Sequence, residues 1–308
     1  MSHSKWTAKD IPPQNGRSIL VTGTGGLGFE AAIALARAGA EVILAGRNEQ
    51  KGREAVKRIL AILPFARVHF EQVDLASLAS IEQFGRQMRA KRSSLDGLIN
   101  NAGIMATPTR QTTVDGFEVQ LATNFLGPFA LTAHLLPLLR AGKDPRVVMV
   151  SSLVARNGAI NFSDLQSKTS YKPIPAYAQS KLADLIFALE FQRRSEANNW
   201  GVLGIAAHPG IASTELITNG PGKSSLFGFL SKLTPFLFQQ PAQGALPLLF
   251  AATSCEALGG DYYGPDTFGG TRGYPTRAPI PPKALDKSTA AHLWDEASSL
   301  TGVNADSR

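Results

Sequence analysis

The chemistry that this sequence can support is concentrated at Tyr177 and Lys181, which lie four residues apart. Residues at this spacing share one face of a helix, and the Ala- and Leu-rich stretch that follows, 182–190, predicts such a helix. An ammonium close to a phenol favours the phenolate, so we expect Lys181 to lower the pKa of Tyr177 from its ordinary value near 10. Tyr177 is then a candidate general acid or base near neutral pH. The alternative is a partly exposed helix face without a catalytic role.

A glycine-rich turn near the amino terminus predicts a phosphate-binding element. The β-rich run 18–22 precedes it and a helical stretch, 29–38, follows it. Strand, turn and helix in this order place a helix N-terminus against a pyrophosphate, and glycines let the backbone N–H groups approach closely. The alternative is a structural loop that is merely rich in glycine. The candidate cofactor-binding residues of this turn are Gly23, Thr24, Gly25, Gly26, Leu27 and Gly28, of which Gly23, Gly25 and Gly28 satisfy the pattern G-x-G-x-x-G.

The end of the second predicted strand, 42–45, indicates which dinucleotide binds. An acidic residue that would hold the ribose 2′-hydroxyl of NAD(H) is missing there, and Arg47 followed by Asn48 takes its place. A guanidinium is suited to a 2′-phosphate through bidentate, charge-assisted hydrogen bonds. We therefore expect NADP(H) to be the preferred cofactor and keep NAD(H) as the alternative. A surface arginine that opens the next helix is the simpler reading of Arg47.

Apolar strands and helices alternate through most of the chain, which predicts an α/β fold. Such alternation indicates a Rossmann-type, doubly wound parallel sheet with helices on both faces, here as a single domain spanning residues 1–308. Ligands bind beyond the carboxyl ends of the strands in these sheets, where polar residues follow Asn101, Val150 and Ala207. The predicted strands are 18–22, 42–45, 67–73, 97–101, 146–150 and 202–207, and the predicted helices include 50–63, 80–89 and 115–139.

Several motifs in this order resemble the short-chain dehydrogenase/reductase family, from about residue 17 to residue 263. The insertion 161–166 and the segments 45–48, 208–210 and 261–265 resemble the retinol-dehydrogenase-like bacterial oxidoreductases of that family. The motifs that carry the resemblance are Thr22-Gly23 with Gly26-Leu27-Gly28, Asp74-Leu75, Asn100-Asn101-Ala102-Gly103, Asn124, Ser151-Ser152, Tyr177 with Lys181, and Pro209-Gly210 with Thr214.

The resemblance implies a set of residue roles. Tyr177 would act as the general acid/base, Lys181 would lower its pKa and hold the nicotinamide ribose, and Ser152 would bind the substrate oxygen. Ser152 rather than Ser151 is chosen because related sequences place the working serine second. Asn124 would support a water relay from Lys181. Asp74 would meet the adenine, and Asn101, Ala102 and Gly103 would pack against the adenosine side, whereas Pro209, Ile211 and Thr214 would position the nicotinamide. Besides these and the glycine turn, the residues implied to contact the cofactor are Arg47, Asn48, Leu75, Tyr177, Lys181 and Gly210.

Two features depart from a simple match. The segment Thr22–Gly28 is one residue shorter than the family's usual T-G-x-x-x-G-x-G, so a small polar residue that often contacts the adenosine ribose has no equivalent. His208 precedes the Pro209-Gly210 turn, but the sequence supplies no carboxylate or nucleophile partner for it. We therefore interpret His208 as structural.

Composition limits the other functions. The 31 Lys and Arg residues give a net charge of +7, but they are scattered, so we expect no nucleic-acid partner. The single cysteine, Cys255, excludes an internal disulfide, suits a reducing, cytoplasmic location and is expected to be a small buried residue. The five histidines show no ligand spacing, so no metal site is expected. No run of 18 apolar residues occurs, and no membrane-spanning helix is expected.

Two further segments are interpreted from their composition. Residues 1–16 are predicted to form a polar N-terminal arm. The apolar, aromatic segment 215–242, punctuated by Gly220-Pro221-Gly222 and Pro235, is predicted to form a substrate lid. Such a lid favours a lipophilic alcohol, ketone or aldehyde as the small-molecule partner. A contact of this segment with lipid is the less favoured reading.

Three further expectations complete the sequence-based interpretation. The family resemblance implies a homodimer or homotetramer formed through the helices around Asn124 and Tyr177, and the alternative is that the extra segments of this chain block that surface. The hydride chemistry would be that of an alcohol dehydrogenase or carbonyl reductase. The alternative to an enzyme is a catalytically silent dinucleotide-binding regulatory protein, since fold does not fix function.

Overall fold

A computed structural model describes residues 5–212 and 239–304 of the chain, and within these residues eight strands form one sheet. The strand order is β3-β2-β1-β4-β5-β6-β7-β8; β1 to β7 are parallel, and β8 is antiparallel to β7. The predicted doubly wound parallel sheet is therefore confirmed. The strands are β1 Ser18–Thr22, β2 Glu41–Gly46, β3 Val68–Gln72, β4 Gly97–Asn100, β5 Arg146–Val150, β6 Leu203–Ala207, β7 Tyr262–Thr267 and β8 Arg272–Arg277.

Helices cover both faces of this sheet, as the apolar strands require. One core contains buried side chains of α3, α5, α6 and α9, and the other contains those of α1, α2 and α8. The helices are α1 Gly26–Arg37, α2 Glu49–Ile62, α3 Leu78–Lys91, α4 Val119–Leu121, α5 Gly127–Arg140, α6 Pro173–Ala197, α7 Pro241–Gly244, α8 Leu246–Thr253 and α9 Lys287–Thr301.

The strand order reverses between β1 and β4, which are hydrogen-bonded neighbours although β2 and β3 lie between them in the chain. A crevice forms at such a switch point, outside the carboxyl ends of the strands. The glycine turn after β1 and the polar residues after β4 meet there. Topology alone therefore brings the first and fourth predicted strand ends into one site.

The helix predicted from residue 115 begins later, at Val119. Residues 112–118 instead form a tight turn, in which Thr112 bridges Glu118 and Gly116 adopts a φ of +84°. The buried carboxylate of Glu118 accepts hydrogen bonds from the N–H groups of Gln120 and Leu121, at 2.9 and 2.7 Å. A capping side chain at this position fixes the first helical residue.

A π-helical segment, Ala122–Leu126, joins α4 to α5. The continuous helix Val119–Arg140 is long and apolar enough to span a membrane, but 89% of an apolar stretch of 18 residues within it is buried inside the protein. It is the core helix of one sheet face, and its composition reflects that burial.

One sequence-based interpretation outside the sheet needs revision. Cys255 is exposed rather than buried, because it lies in the turn after α8. The part of the predicted N-terminal arm that the structure describes, 5–16, packs against the body of the protein. There, the Trp6 ring contacts that of Phe250 edge-on at 5.3 Å, and the Gln14 N–H donates to the carbonyl of Ala38 at 2.8 Å.

Candidate active site

The glycine turn after β1 is shaped by two positions that exclude a side chain. A Cβ on Gly28 would lie 2.2 Å from the carbonyl oxygen of Gly23, and one on Gly23 would lie 2.8 Å from Nδ2 of Asn101. Gly23 also has a φ of +94°, which L side chains rarely adopt. Gly25 is the N-cap of α1 and has no capping side chain; the N–H of Gly28 donates to the carbonyl of Gly25 at 3.1 Å, which leaves the N–H groups of Gly26 and Leu27 to face a ligand. The turn therefore fits the predicted pyrophosphate contact.

The segment after β4 secures this turn. Nδ2 of Asn101 donates to the carbonyl of Thr22 at 2.8 Å, and the N–H groups of Asn101 and Ala102 both donate to Oγ1 of Thr22 at 3.0 Å. A Cβ on Gly103 would lie 2.9 Å from Oδ1 of Asn124 and 3.5 Å from Nζ of Lys181. Residues 101–103 thus connect the predicted cofactor edge with the predicted catalytic residues.

The residues predicted near the adenosine have different surroundings. Arg47 is exposed at the end of β2, where Nε2 of Gln72 holds its carbonyl at 3.0 Å. Oδ1 of Asn48 caps α2 by accepting from the N–H of Lys51 at 2.9 Å. The half-buried Asp74 accepts from the N–H of Ala76 at 3.0 Å, whereas the side chain of Leu75 lies in the core, 6% exposed. Leu75 therefore supports the strand end rather than presenting its side chain to a ligand.

Asp74 also borders a polar cavity of about 320 Å³ between α2, β3 and α3. None of Asn124, Ser152, Tyr177 and Lys181 lines this cavity, so we do not assign the chemistry to it. Its lining residues are Glu49, Arg53, Phe70, Glu71, Gln72, Asp74, Ser80, Gln83, Phe84 and Gln87.

Tyr177 and Lys181 lie one turn apart on α6, and both are nearly buried, at 6% and 4% exposure. Nζ of Lys181 donates to the carbonyl of Val150 at 2.9 Å and to Oδ2 of Asp184 at 2.8 Å. The predicted helix therefore exists and carries both groups into the interior at the carboxyl end of β5.

The two serines after β5 have separate roles. The Ser151 hydroxyl donates to the carbonyl of Lys181 at 2.6 Å, which secures the loop to α6. Ser152 is half-buried, and its hydroxyl lies near enough to the phenol of Tyr177 to lower the pKa of that phenol. The structure thus brings Ser152 to the tyrosine and leaves Ser151 with a structural contact.

Asn124 lies in the π-helical segment between α4 and α5, a feature that often marks functional sites. Its Oδ1 accepts from the N–H of Ile104 at 2.8 Å, and its Nδ2 donates to the carbonyl of Ile104 at 3.0 Å and to Oγ of Ser180 at 2.8 Å. This amide therefore joins the loop after β4 to α6.

Burial determines the electrostatics of this cluster. It raises the pKa of Tyr177 above its ordinary value, although the charge of Lys181 and the hydrogen bond to Ser152 act in the opposite direction. Lys181 therefore lowers the pKa of Tyr177 as predicted, but the desolvation of a buried phenolate is the larger effect, so the net change is a rise. Burial lowers the pKa of Lys181, but Asp184 and Tyr177 together raise it above its usual range. Burial raises the pKa of Asp184 to about 7, and Lys181 offsets only part of this change.

The turn after β6 is fixed by contacts with the β7–β8 hairpin and with Gln239. Gly210 has a φ of +66°, and the N–H of Ile211 donates to the carbonyl of Thr271 at 2.7 Å. Nε2 of Gln239 donates to the carbonyl of Pro209. These contacts hold the residues predicted to face the nicotinamide, while Thr214 and residues 215–238 of the predicted lid lie outside the described residues.

His208 is fully buried and supports the same turn, as a structural residue would. Its Nδ1 accepts from the N–H of Gly210 at 3.2 Å, and its ring lies 5.0 Å from that of Tyr262. Burial, reinforced by the charge of Arg156, lowers the pKa of His208 to about 3, so the imidazole is neutral at physiological pH. Gly264 leaves room for this ring, because a Cβ there would lie 1.9 Å from its Nε2.

The sequence-based interpretation missed two parts of the site. The β7–β8 hairpin contacts the loops after both β5 and β6: Nη1 of Arg156 donates to the carbonyl of Gly269 at 3.0 Å, and Thr271 holds Ile211. Asp184, the partner of Lys181, was also missed, although its spacing of three residues from Lys181 places it on the same helix face. Within residues 5–212 and 239–304 there is no cluster of three His, Cys, Asp or Glu side chains arranged to hold a metal ion.

Comparison with known proteins agrees with this architecture. The family model "short chain dehydrogenase" matches residues 17–221. The chain belongs to the short-chain dehydrogenase family. Within that family it is a member of the retinol-dehydrogenase-like branch.

The relatives are similar along nearly the whole chain. A mouse polyprenol dehydrogenase is 41% identical over 95% of this chain and 86% of its own, and mouse retinol dehydrogenase 13 is 39% identical over 94% and 84%. The crystal structure of an uncharacterized protein from Mycobacterium paratuberculosis has a TM-score of 0.81 and 37% identity, covering 98% of this chain and 99% of its own. A short chain dehydrogenase from Escherichia coli CFT073 complexed with NADPH has a TM-score of 0.60 and 27% identity, covering 79% and 92%.

Proposed function

We propose that the protein is an NADP(H)-preferring oxidoreductase that transfers a hydride between the nicotinamide and a lipophilic alcohol or carbonyl substrate. One observation carries this proposal. The hydroxyl of Ser152 lies near the phenol of Tyr177, and the ammonium of Lys181 lies one helical turn further along α6 and beside Gly103. An acid/base group and a hydrogen-bond donor are thus presented together at the sheet edge where the glycine turn lies.

The residues of the cluster have separate tasks in this reaction. The nicotinamide supplies or accepts the hydride when it is bound. Tyr177 donates a proton to the carbonyl oxygen in reduction and accepts the hydroxyl proton in oxidation. Ser152 donates a hydrogen bond to the same oxygen and stabilises the charge that develops there. Lys181 provides the positive charge that opposes the effect of burial on the phenol, and Asn124 fixes the loop that faces them.

Arg47 supports the preference for NADP(H). Its side chain is exposed at the carboxyl end of β2, and the neighbouring glycine turn touches that strand, because a Cβ on Gly46 would lie 3.2 Å from Cγ2 of Thr24. A guanidinium in this position suits a ribose 2′-phosphate. The complex of the E. coli relative with NADPH supports the same choice. NAD(H) is the alternative, in which Arg47 is a surface residue.

The lipophilic substrate is supported by the relatives and by the hairpin. Polyprenol and retinol, the alcohols in the names of the similar mouse enzymes, are both lipophilic. At the tip of the β7–β8 hairpin, Phe268 is 78% exposed, and the adjacent residues 269–271 contact Arg156, Leu153 and Ile211. An exposed aromatic ring beside the loops of the site offers an apolar contact to a substrate.

A cofactor-linked assay of the purified protein tests the proposal. The absorbance of NADPH and NADH is followed with retinol and a polyprenol as oxidisable substrates, with their aldehydes for reduction, and with glycerol as a polar control. We expect turnover of the lipophilic pair, with NADP(H) more efficient than NAD(H), and loss of turnover in Tyr177→Phe. Tight cofactor binding without turnover of any of these substrates would favour the silent regulatory alternative.

A further inference from the structure

A buried carboxylate lies behind the catalytic lysine. Asp184 is located one turn after Lys181 on α6, and the two side chains are 1% and 5% exposed. Oδ2 of Asp184 accepts from Nζ of Lys181 at 2.8 Å, and Oδ1 has no hydrogen-bond partner among the described residues. Burying a carboxylate with only one partner is costly unless a neighbouring charge requires it.

The geometry shows what this carboxylate does to the lysine. An ammonium has three N–H donors, and in Lys181 the carbonyl of Val150 and the carboxylate of Asp184 occupy two of them. Nζ also borders Gly103, in the segment predicted to contact the cofactor, because a Cβ there would lie 3.5 Å from it. Asp184 therefore orients the ammonium as well as balancing its charge.

We propose that Asp184 is a positioning residue, which keeps Lys181 in its charged form and sets the pH at which the Tyr177–Lys181 pair releases its proton. This proposal rests on the acid/base role of Tyr177 given above. The titratable groups that face Asp184 are Lys181 and Tyr177 from α6 and Tyr262 from β7. Burial raises the pKa of Tyr262 far above the neutral range, so its phenol stays protonated and does not contribute.

The sign of the effect follows from the charge of the cluster. Above pH 8 Asp184 is ionised, because its pKa is about 7, so the cluster of neutral Tyr177, Lys181 ammonium and Asp184 carboxylate is neutral overall. Loss of a further proton leaves a buried negative charge, which is unfavourable. In Asp184→Asn the same cluster starts with one positive charge, and loss of a proton makes it neutral. The pair should therefore release its first proton at lower pH, whichever of Tyr177 and Lys181 loses it.

Two measurements test this inference in Asp184→Asn. First, the acidic limb of the pH profile of kcat/KM for alcohol oxidation should move down by about one pH unit or more, as expected when a charge within a few ångströms is removed. Second, the free energy of unfolding of the variant, measured with urea, should approach that of the unmodified protein as the pH rises from about 8 to about 9.5. In this range the folded variant has already released a proton that the unfolded chain still binds, so a rise in pH favours the folded variant. The second measurement needs no substrate and no activity.

Glu190→Gln is the matched control. Glu190 is also a buried carboxylate of α6, 2% exposed, and it pairs with Arg193 and with Arg194 at 2.6 Å. Removal of the Glu190 charge should destabilise the protein. It should leave the pH profile of kcat/KM and the pH dependence of the unfolding free energy unchanged, because Glu190 does not contact Lys181.

The outcomes separate this inference from the proposed function. An unchanged pH profile and an unchanged slope of stability in folded Asp184→Asn would overturn the positioning role and leave the oxidoreductase proposal intact. Activity that survives in Tyr177→Phe would overturn the mechanism, while the stability measurement would still decide the role of Asp184. Asp184→Ser, which keeps an oxygen acceptor in a smaller volume, is the second variant. Failure of both variants to fold would assign Asp184 a purely structural role and refute the inference.

Discussion

Arg47 provides the sharpest test of cofactor selection. Replacing Arg47 by Ala removes the only group proposed to recognise the 2′-phosphate, so NADPH should bind more weakly while NADH is little affected. A hydrogen bond to a charged group contributes about 1.5–3 kcal/mol. Because Arg47 is exposed, solvent screens the pair, and we expect the lower part of this range, about 1.5–2 kcal/mol. At 1.4 kcal/mol per factor of ten, this is roughly a ten- to thirty-fold loss of NADPH affinity.

The assay is a fluorescence titration of each reduced cofactor against the unmodified protein and the variant. Arg53→Ala is the matched control, because Arg53 also projects from the start of α2 into solvent but pairs with Glu49 at 2.6 Å. This control should leave the ratio of the two affinities unchanged. Raising the salt concentration should narrow the difference between NADPH and NADH in the unmodified protein, since surface charge pairs are screened.

The reasoning is refuted if Arg47→Ala weakens both cofactors equally. In that case the Arg47 side chain stabilises the end of β2 or contacts the adenine, which both cofactors carry, rather than the 2′-phosphate. The same change in the ratio of NADPH to NADH affinity in Arg53→Ala would also contradict the role of Arg47. The preference for NADPH would then come from the general positive potential of the surface.

Three further changes test the rest of the site. Tyr177→Phe should keep its melting temperature and cofactor affinity but lose roughly a hundredfold to ten-thousandfold in kcat, and substantial activity would refute the acid/base assignment. Gly28→Ala should weaken both cofactors and cost about 1–3 kcal/mol of stability, since its Cβ would lie 2.2 Å from the carbonyl of Gly23; unchanged binding in a calorimetric titration would contradict the proposed turn. His208 should cost the protein stability as the pH falls from 7 to 5, because burial keeps its pKa at about 3 while the unfolded imidazole takes up a proton near 6.5. The buried Asp184, with a pKa of about 7, acts in the opposite direction over the same range. His208→Gln should remove roughly 2 kcal/mol of that loss at pH 5, as measured by urea unfolding, and an identical pH slope would show that other groups cause it.

The sheet could be predicted as far as β6 because each of its strands is an apolar run bounded by helix and turn signals. The hairpin of β7 and β8 was not predicted, because it lacks that pattern. Its residues Gly269, Gly270 and Gly273 all have positive φ, and β8 is half-exposed. The hairpin is held by contacts between distant segments, such as that of Arg156 with Gly269, and local sequence does not report these.

The candidate site shows the same division. Asn124, Ser152, Tyr177 and Lys181 were identified from their types, order and family resemblance, and the structure gathers all four at one edge of the sheet. The role of Leu75 was not predictable, because a residue at a strand end can point to the ligand or into the core. Here its side chain lies in the core, 6% exposed, and its carbonyl packs against Gly127, where a Cβ would lie 2.3 Å from that oxygen.

The pKa of Tyr177 shows why a motif does not determine its own chemistry. Four residues of spacing bring Lys181 near the phenol, and in water that charge would favour the phenolate. In the folded chain the same helix buries both groups, and burial raises the pKa of Tyr177 more than Lys181 lowers it. Asp184 adds a negative charge behind the lysine and opposes ionisation further. The motif therefore provides the groups for proton transfer, but the depth of the helix and the charge behind Lys181 determine the pH at which that transfer takes place.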